Sequence, residues 1–193
     1  MCETIDNIKK MIEEQYKSAN WHWRALLLLF YVYLGMKYLF NPAYWGLFGN
    51  IDLGIHEMGH LLFMFCGEFI ACAGGTILQL AAPIVSFFMF AGQRDYFAFS
   101  FSGVWFAANL YNVSWYMADA RAQTLPLASL GGGSVSHDWA YLLGRLGLLN
   151  YDIFFAGILR FIAFLCMWSS IFYGIWVVRI IVKSSQDGDD SIC

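Results

Sequence analysis

The chain has 193 residues, of which 60% are apolar or aromatic and 13% are charged, and its mean hydropathy is +0.56. A soluble domain of this length needs more charge to cover its surface, so the composition predicts a membrane protein. A formal net charge of −3, without a cluster of Lys and Arg, excludes nucleic acid as a partner. No linker, low-complexity tract or internal repeat divides the sequence. It is predicted to form one multi-pass membrane domain over residues 1–193.

The first predicted element is an N-terminal helix. Ile5, Ile8, Ile12 and Tyr16 recur at helical spacing, with charged side chains on the other face. Residues 1–20 are therefore predicted to form an amphipathic helix, which lies on the membrane surface or packs on a neighbouring helix. The polar start of the chain does not have the form of a removable signal peptide.

Five apolar segments follow, at about the length of a bilayer core that needs about 20 helical residues, and the third, which is short, is expected to be tilted or partly re-entrant. They are Trp23–Phe40, Tyr44–Cys66, Thr76–Ala91, Tyr96–Gln123 and Ile153–Val182.

The connections between these segments complete the predicted fold. Residues 67–75 contain three glycines and are predicted to be a re-entrant loop or a hairpin. A polar loop is expected over residues 124–152 and a short tail over residues 183–193. The expected fold class is all-α, with about five transmembrane helices in the bilayer.

The distribution of positive charge predicts the orientation. With five spans and the N-terminus inside, seven of the 11 Lys and Arg residues lie on the inner side and four on the outer side. The positive-inside rule therefore favours a cytoplasmic N-terminus. Arg179 and Lys183, which follow the last segment, fall on the outer side and run against the rule.

The second segment contains a metal-binding pattern, His56-Glu57-Met58-Gly59-His60. Two histidines four residues apart share one face of a helix, so both imidazoles can reach one metal ion, with zinc expected. Glu57 stands where a carboxylate can take a proton from water at the metal. Charged side chains in a lipid-crossing segment cost about 2–3 kcal/mol each, so they are rare there without a task. Asp52, one helical turn before His56, can hold its imidazole or equally be a negative charge at the N-terminal entrance of the helix.

A zinc site needs at least one further protein ligand, and the fourth segment offers a polar stripe. Asp119 is the ionisable member of this stripe. A helix that runs to Pro126 brings Asp119 to the depth of His60, so Asp119 is the favoured third ligand. The alternative is the pair His137-Asp138, folding over the site from the polar loop. The stripe consists of Ser102, Asn109, Asn112, Tyr116, Asp119 and Gln123.

The order of these features resembles the site-2 protease family of intramembrane zinc metalloproteases. The match covers about residues 45–123 and comprises the histidine motif, the glycine-rich break leading into Gly74–Pro83, and a later helix with Asp119. The family's usual Asn-x-x-Pro and Leu-Asp-Gly sequences are absent, and Asn109-Leu110-Tyr111-Asn112 and Ala118-Asp119-Ala120 stand in their place.

The resemblance implies an intramembrane zinc endopeptidase whose metal is held by His56, His60 and Asp119. Its substrates would be transmembrane segments of other proteins, unwound against residues 67–79. Glu57 would be the general base, and Asn112 or Asn109 would hydrogen-bond the substrate backbone or the developing oxyanion.

The alternative function is a non-proteolytic, metal-stabilised scaffold or an accessory subunit of a larger membrane complex, possible also as a homo-oligomer. The small size of the chain and its 19% aromatic content suit burial in such a complex. Access of water to Glu57 separates the two functions, because only a protease needs it.

Overall fold

The structure, a computed structural model, describes residues 2–17, 19–126 and 137–190. Over these residues the chain is all-helical and has no strand, as the sequence predicts. Single turns of 3-10 helix, Met64–Cys66 and Leu149–Tyr151, precede the fourth and the last α-helix. The α-helices are α1 (Cys2–Gln15), α2 (His22–Phe40), α3 (Gly49–Phe63), α4 (Glu68–Gln93), α5 (Tyr96–Ala118), α6 (Asp138–Arg145) and α7 (Asp152–Asp190).

In the described part of the chain, three helices are long and apolar enough to cross a membrane, which fits the membrane protein expected from the composition. They are α2, α4 and α7. Large apolar side chains point outward from each of them, among them Leu26, Phe88 and Phe161, which are all more than 60% exposed. Lipid is the solvent that such surfaces require.

Helix α5 is the centre of the bundle, and aromatic pairs set the direction of α2 beside it. The ring of Trp23 meets Phe97 near the starts of the two helices, and Tyr38 stacks on Tyr111 near their ends. Helices α2 and α5 therefore run in the same direction. We call the end of the bundle that contains Trp23 and Phe97 the N-terminal end.

Helices α4 and α7 run antiparallel to α5. Ser86 of α4 hydrogen-bonds Ser102 of α5 at 2.8 Å. At the other end of the bundle, the Arg121 guanidinium, just beyond α5, makes two hydrogen bonds of 2.8 and 2.9 Å to Asp152 at the start of α7. We call the end that contains Arg121 and Asp152 the distal end. The turn between α4 and α5 and the C-terminal part of α7 lie at the N-terminal end.

The direction of α3 agrees with the expected five-span order relative to α5 but not relative to α2. The ring of Phe48, just before α3, stacks on Trp105, whereas His56 meets Tyr116 nearer the end of α5. Helix α3 therefore runs parallel to α5 and to α2. Residues 41–48 must return part of the way toward the N-terminal end before α3 begins. Successive spans cross a membrane in opposite directions, so the expected five-span order is not confirmed.

The loop or hairpin expected over residues 67–75 is replaced by helix. Only Gly67, with φ at 87°, separates the 3-10 turn from α4, which begins at Glu68. Gly74 belongs to α4 and faces Gly59 of α3. A Cβ added at Gly59 would lie 2.2 Å from the Gly74 carbonyl oxygen. Gly59 and Gly74 therefore allow two helices to approach closely, and only Gly67 interrupts the helix.

The expected amphipathic helix is present as α1. The side chains of Ile12 and Tyr16 are buried, and α1 packs against α7. The Tyr16 hydroxyl donates to Asp95, which also caps α5 by accepting from the Ala98 N–H. Helix α1 thus packs on the N-terminal end of the bundle.

The remaining expected connections are only partly described. The polar loop over residues 124–152 contains α6 and the 3-10 turn before α7, and residues 127–136 of it lie outside the described part of the chain. The expected tail over residues 183–193 continues α7 as far as Asp190.

Gly59→Ala is predicted to destabilise the protein, because the new Cβ meets the backbone of α4. Overpacking of this kind costs about 1–3 kcal/mol in the free energy of unfolding. Gly54 lies on the same helix with open space around it, so Gly54→Ala is the matched control and gains helix propensity without a clash. Denaturant unfolding in micelles measures both variants, and equal stabilities would contradict the close contact.

Candidate metal centre

Two histidines of α3 lie one helical turn apart, on the face that packs against α4. Their ring centroids are 4.8 Å apart. The ligand atoms of His56, Glu57 and His60 all lie within 4.8 Å of one another, so this group can hold a metal ion. The i, i+4 spacing predicts this arrangement, and the helix provides it.

Hydrogen bonds fix the orientation of both imidazoles. His60 Nδ1 lies 2.9 Å from the backbone oxygen of Ala71, which can only accept, so this nitrogen carries the proton. His56 Nδ1 lies 2.9 Å from Gln79 Oε1, and the Gln79 amide nitrogen in turn donates to Asn112. In each ring the Nε2 lone pair is then free to bind a metal, which is the usual arrangement around ligating histidines.

Asp138, the first residue of α6, brings a carboxylate to these two nitrogens. Its Oδ2 lies 2.9 Å from His56 Nε2 and 3.2 Å from His60 Nε2. Ligand atoms of a tetrahedral zinc ion are ~3.3 Å apart, given bonds of about 2.0–2.2 Å. Three acceptor atoms at this spacing repel one another unless a metal ion or protons lie between them. The donor set therefore fits a divalent metal.

A glycine of α4 leaves the space that such an ion needs. A Cβ at Gly75 would lie 2.6 Å from the Nε2 atoms of both His56 and His60. Any other residue at this position would fill the space beside the two nitrogens. Gly75 thus combines close helix packing with an open place at the convergence of the ligands.

The other atoms of Asp138 are also engaged. The Cys72 thiol lies 3.5 Å from Oδ1, and the Tyr116 hydroxyl accepts from the Asp138 N–H at 3.1 Å. Burial raises the pKa of the Asp138 carboxyl, whereas positive charge on His56 and His60, when these rings are protonated, holds it well below the usual range. The carboxylate is therefore held in its ionised form, which is the form that binds metals.

The structure does not bring Asp119 to the histidines. Helix α5 ends at Ala118, so Asp119 begins a turn and does not continue the polar stripe. Its carboxylate accepts from the Thr124 N–H and hydroxyl and from the Leu125 N–H, at 2.7–3.0 Å. The depth argument for Asp119 assumes a helix that runs to Pro126, and the helix stops several residues earlier. The contacts support the alternative, Asp138, as the third ligand.

His137 supports α6 and does not face the two histidines. Its ring stacks on Tyr116 with centroids 4.3 Å apart, and its Nδ1 accepts from the Ala140 N–H. Its Nε2 lies 3.5 Å from Asp119. Of the expected pair, Asp138 lies at the site and His137 holds the start of its helix.

Asp52 and Asn109 form a separate buried pair. Asp52 accepts from Trp105 Nε1 at 2.8 Å and from Asn109 Nδ2 at 3.3 Å. Asp52 therefore does not hold His56, and Gln79 does so instead. A single amide side chain inside the apolar segment Thr76–Ala91 is the signal in the sequence that points to Gln79.

A cavity of about 510 Å³ adjoins His56. Glu57 and Asn112 both line it, next to His56, as their expected roles require. Its apolar wall consists of Trp45, Leu53, Trp115, Leu125 and Pro126. Glu57 therefore faces an open space next to His56.

Asp138→Asn is predicted to lower the metal content of the purified protein by about tenfold or more, because an amide oxygen is a weaker ligand than a carboxylate. Asp119→Asn is the matched control and should keep its metal. Elemental analysis of both variants measures the effect. Loss of metal in the Asp119 variant alone would restore Asp119 as the ligand.

Gly75→Ala is also predicted to remove metal, since its Cβ would occupy the space beside both Nε2 atoms. Gly92→Ala on the same helix is the control, because a Cβ there meets nothing within 4 Å. Metal content and thermal unfolding should be measured together. Full metal occupancy in Gly75→Ala would show that the ligands do not converge at this point.

Comparisons of the chain with protein-family models, curated proteins and solved structures give no match. The resemblance to site-2 proteases therefore rests on the histidine motif and on the glycine-rich segment that follows it. The geometry of the site is the basis for assigning a function.

Proposed function

We propose that the chain is an intramembrane zinc metalloprotease, which hydrolyses peptide bonds in or near transmembrane segments of other proteins. The observation that carries this proposal is the convergence of His56, His60 and Asp138 beside Glu57. Two of these residues, His56 and Glu57, line a cavity large enough for a peptide. Structural metal sites are closed by four protein ligands, whereas catalytic sites keep an open position.

Zinc is the ion that suits two imidazoles and one carboxylate. Bound by His56, His60 and Asp138, it supplies a Lewis acid that polarises a peptide carbonyl and makes water more acidic. Gln79 and the Ala71 carbonyl keep the two imidazoles in the tautomer that presents Nε2.

Glu57 moves the protons of the reaction. It takes a proton from the attacking water as the water oxygen bonds to the carbonyl carbon. It then gives that proton to the amide nitrogen as the carbon–nitrogen bond breaks, so that Glu57 ends as it began. Half-burial at the cavity wall allows both steps.

The cavity walls hold and orient the peptide. The Asn112 amide oxygen accepts from Gln79, which leaves its NH2 group available to a substrate carbonyl. The Tyr116 hydroxyl lies 3.4 Å from Asp138 and reaches the same space. Trp45 and Trp115, with ring centroids 6.4 Å apart, form an apolar wall for large substrate side chains.

Lipid surrounds the metal helix on its outer face. Met58, Leu62 and Phe65 are 60%, 61% and 88% exposed, which is costly in water and favourable in a bilayer. Substrates therefore reach the cavity from within the membrane.

The direction of the helices gives an orientation in which most of the positive charge lies on one side. Of the 11 Lys and Arg residues, seven lie at the N-terminal end and four toward the distal end. By the positive-inside rule the N-terminal end is cytoplasmic, and Arg179 and Lys183 no longer run against the rule. The metal site then lies toward the non-cytoplasmic side. The seven are Lys9, Lys10, Lys17, Arg24, Arg94, Arg179 and Lys183.

The cavity also favours proteolysis over the alternative of a metal-stabilised scaffold. A scaffold has no use for an open space beside its metal ligands. A base, amide and hydroxyl groups and a pair of tryptophans together line this space.

Glu57→Gln is predicted to keep zinc and to lose proteolysis by roughly 10²–10⁴-fold, because the amide cannot accept the proton of water. New protein termini within membrane segments should appear in cells expressing the wild-type chain and not in cells expressing the variant. Mass spectrometry of membrane-protein termini measures this difference.

Glu68→Gln is the control, since Glu68 is an exposed carboxylate outside the site. It should cleave like the wild type. Identical sets of termini with the wild-type and Glu57→Gln chains would reject the protease, and unchanged co-purifying partners in that case would favour the scaffold.

A further inference from the structure

Among the described residues, Arg160 of α7, a cation in a membrane-spanning helix, has no anion beside it. Its Nε is buried and has no hydrogen-bond partner in the described part of the chain, where no ion pair to Arg160 occurs either. A buried charge without a partner is costly, so such residues usually bind something.

The nearby carboxylates of the distal end are engaged elsewhere. Asp152, two turns earlier on the same helix, binds Arg121 through both oxygens. Asp119 accepts from the turn after α5, and Asp138 faces the two histidines. The anion that neutralises Arg160 must therefore come from outside these residues.

Arg160 lines a cavity of about 310 Å³ between α2, α5 and α7. The stacked rings of Tyr38 and Tyr111 lie on one side of it. Leu39 and Phe161, which are 44% and 62% exposed, line it toward the lipid. The cavity thus combines a cation, two phenol rings and an apolar edge that is open to the bilayer.

The position of this cavity matches the level of lipid headgroups. Pro42, just beyond the end of α2, lines it, so it lies where the chain leaves the apolar region. Tyrosine is enriched at this depth, and basic pockets between membrane helices bind anionic headgroups.

We propose that this cavity binds an anionic phospholipid. Its phosphate pairs with Arg160, and its acyl chains lie along Leu39 and Phe161. A lipid is favoured over a soluble anion because the cation and the lipid-facing apolar side chains line one cavity. This site is separate from the metal centre and does not depend on proteolysis.

The full chain, purified in detergent, is tested with phosphatidylglycerol and phosphatidylcholine by native mass spectrometry. The wild type should retain phosphatidylglycerol about fivefold better, which is the effect of one arginine near an anionic headgroup. Arg160→Gln should abolish this preference. Arg179→Gln, an exposed arginine at the other end of the same helix, should keep it.

Gly157→Leu tests the cavity without removing the charge. A Cβ at Gly157 meets nothing within 4 Å, so the variant should fold, and its side chain should displace the lipid. Equal retention of the two lipids by the wild type, or an unchanged preference in both cavity variants, would overturn the proposal. If inorganic phosphate raised the melting temperature of the wild type as much as phosphatidylglycerol does, the cavity would be assigned to a soluble anion, and the proposal would also be overturned.

Discussion

The convergence of three acceptor atoms is the constraint on which the rest of the structure depends. Asp138 Oδ2 lies 2.9 Å from His56 Nε2 and 3.2 Å from His60 Nε2. Both Nδ1 atoms are committed to acceptors, so the histidines in their neutral form cannot donate to Asp138. One divalent cation between the three atoms removes their repulsion. Without it, both imidazoles would have to be protonated, which places two positive charges in an apolar bundle.

This convergence requires α3 and α4 to lie unusually close. Gly59 and Gly74 place backbone against backbone, and Gly75 one residue later leaves the space beside the histidines. The same close approach puts the Ala71 carbonyl within reach of His60 and the Gln79 amide within reach of His56. Packing and chemistry therefore share one helix interface, so a change that separates the helices also changes the tautomers of the ligands.

The sequence allowed the metal motif, the amphipathic N-terminal helix and the all-helical class to be predicted, since each depends on local periodicity. It did not reveal the role of Gly74 and Gly75, because glycines that break a helix and glycines that pack one look alike without the neighbouring helix. The choice of Asp119 depended on where α5 ends, which the turn bonds from Thr124 decide. From the sequence, Asp138 could be named only as the alternative third ligand. Its position depends on how a connecting segment folds, and residue spacing does not predict that.

The origin of the third ligand links the metal to the folding of the distal end. Asp138 belongs to an eight-residue helix, α6, which is too short to be stable by itself. Its first residue is held by the two histidines, Cys72 and Tyr116, which are all side chains of the bundle. A metal that binds the assembled site and not the separated parts must stabilise the docking of α6 by its own binding free energy. Since Tyr116 also lines the substrate cavity, the metal would shape the cavity wall as well as the chemistry beside it.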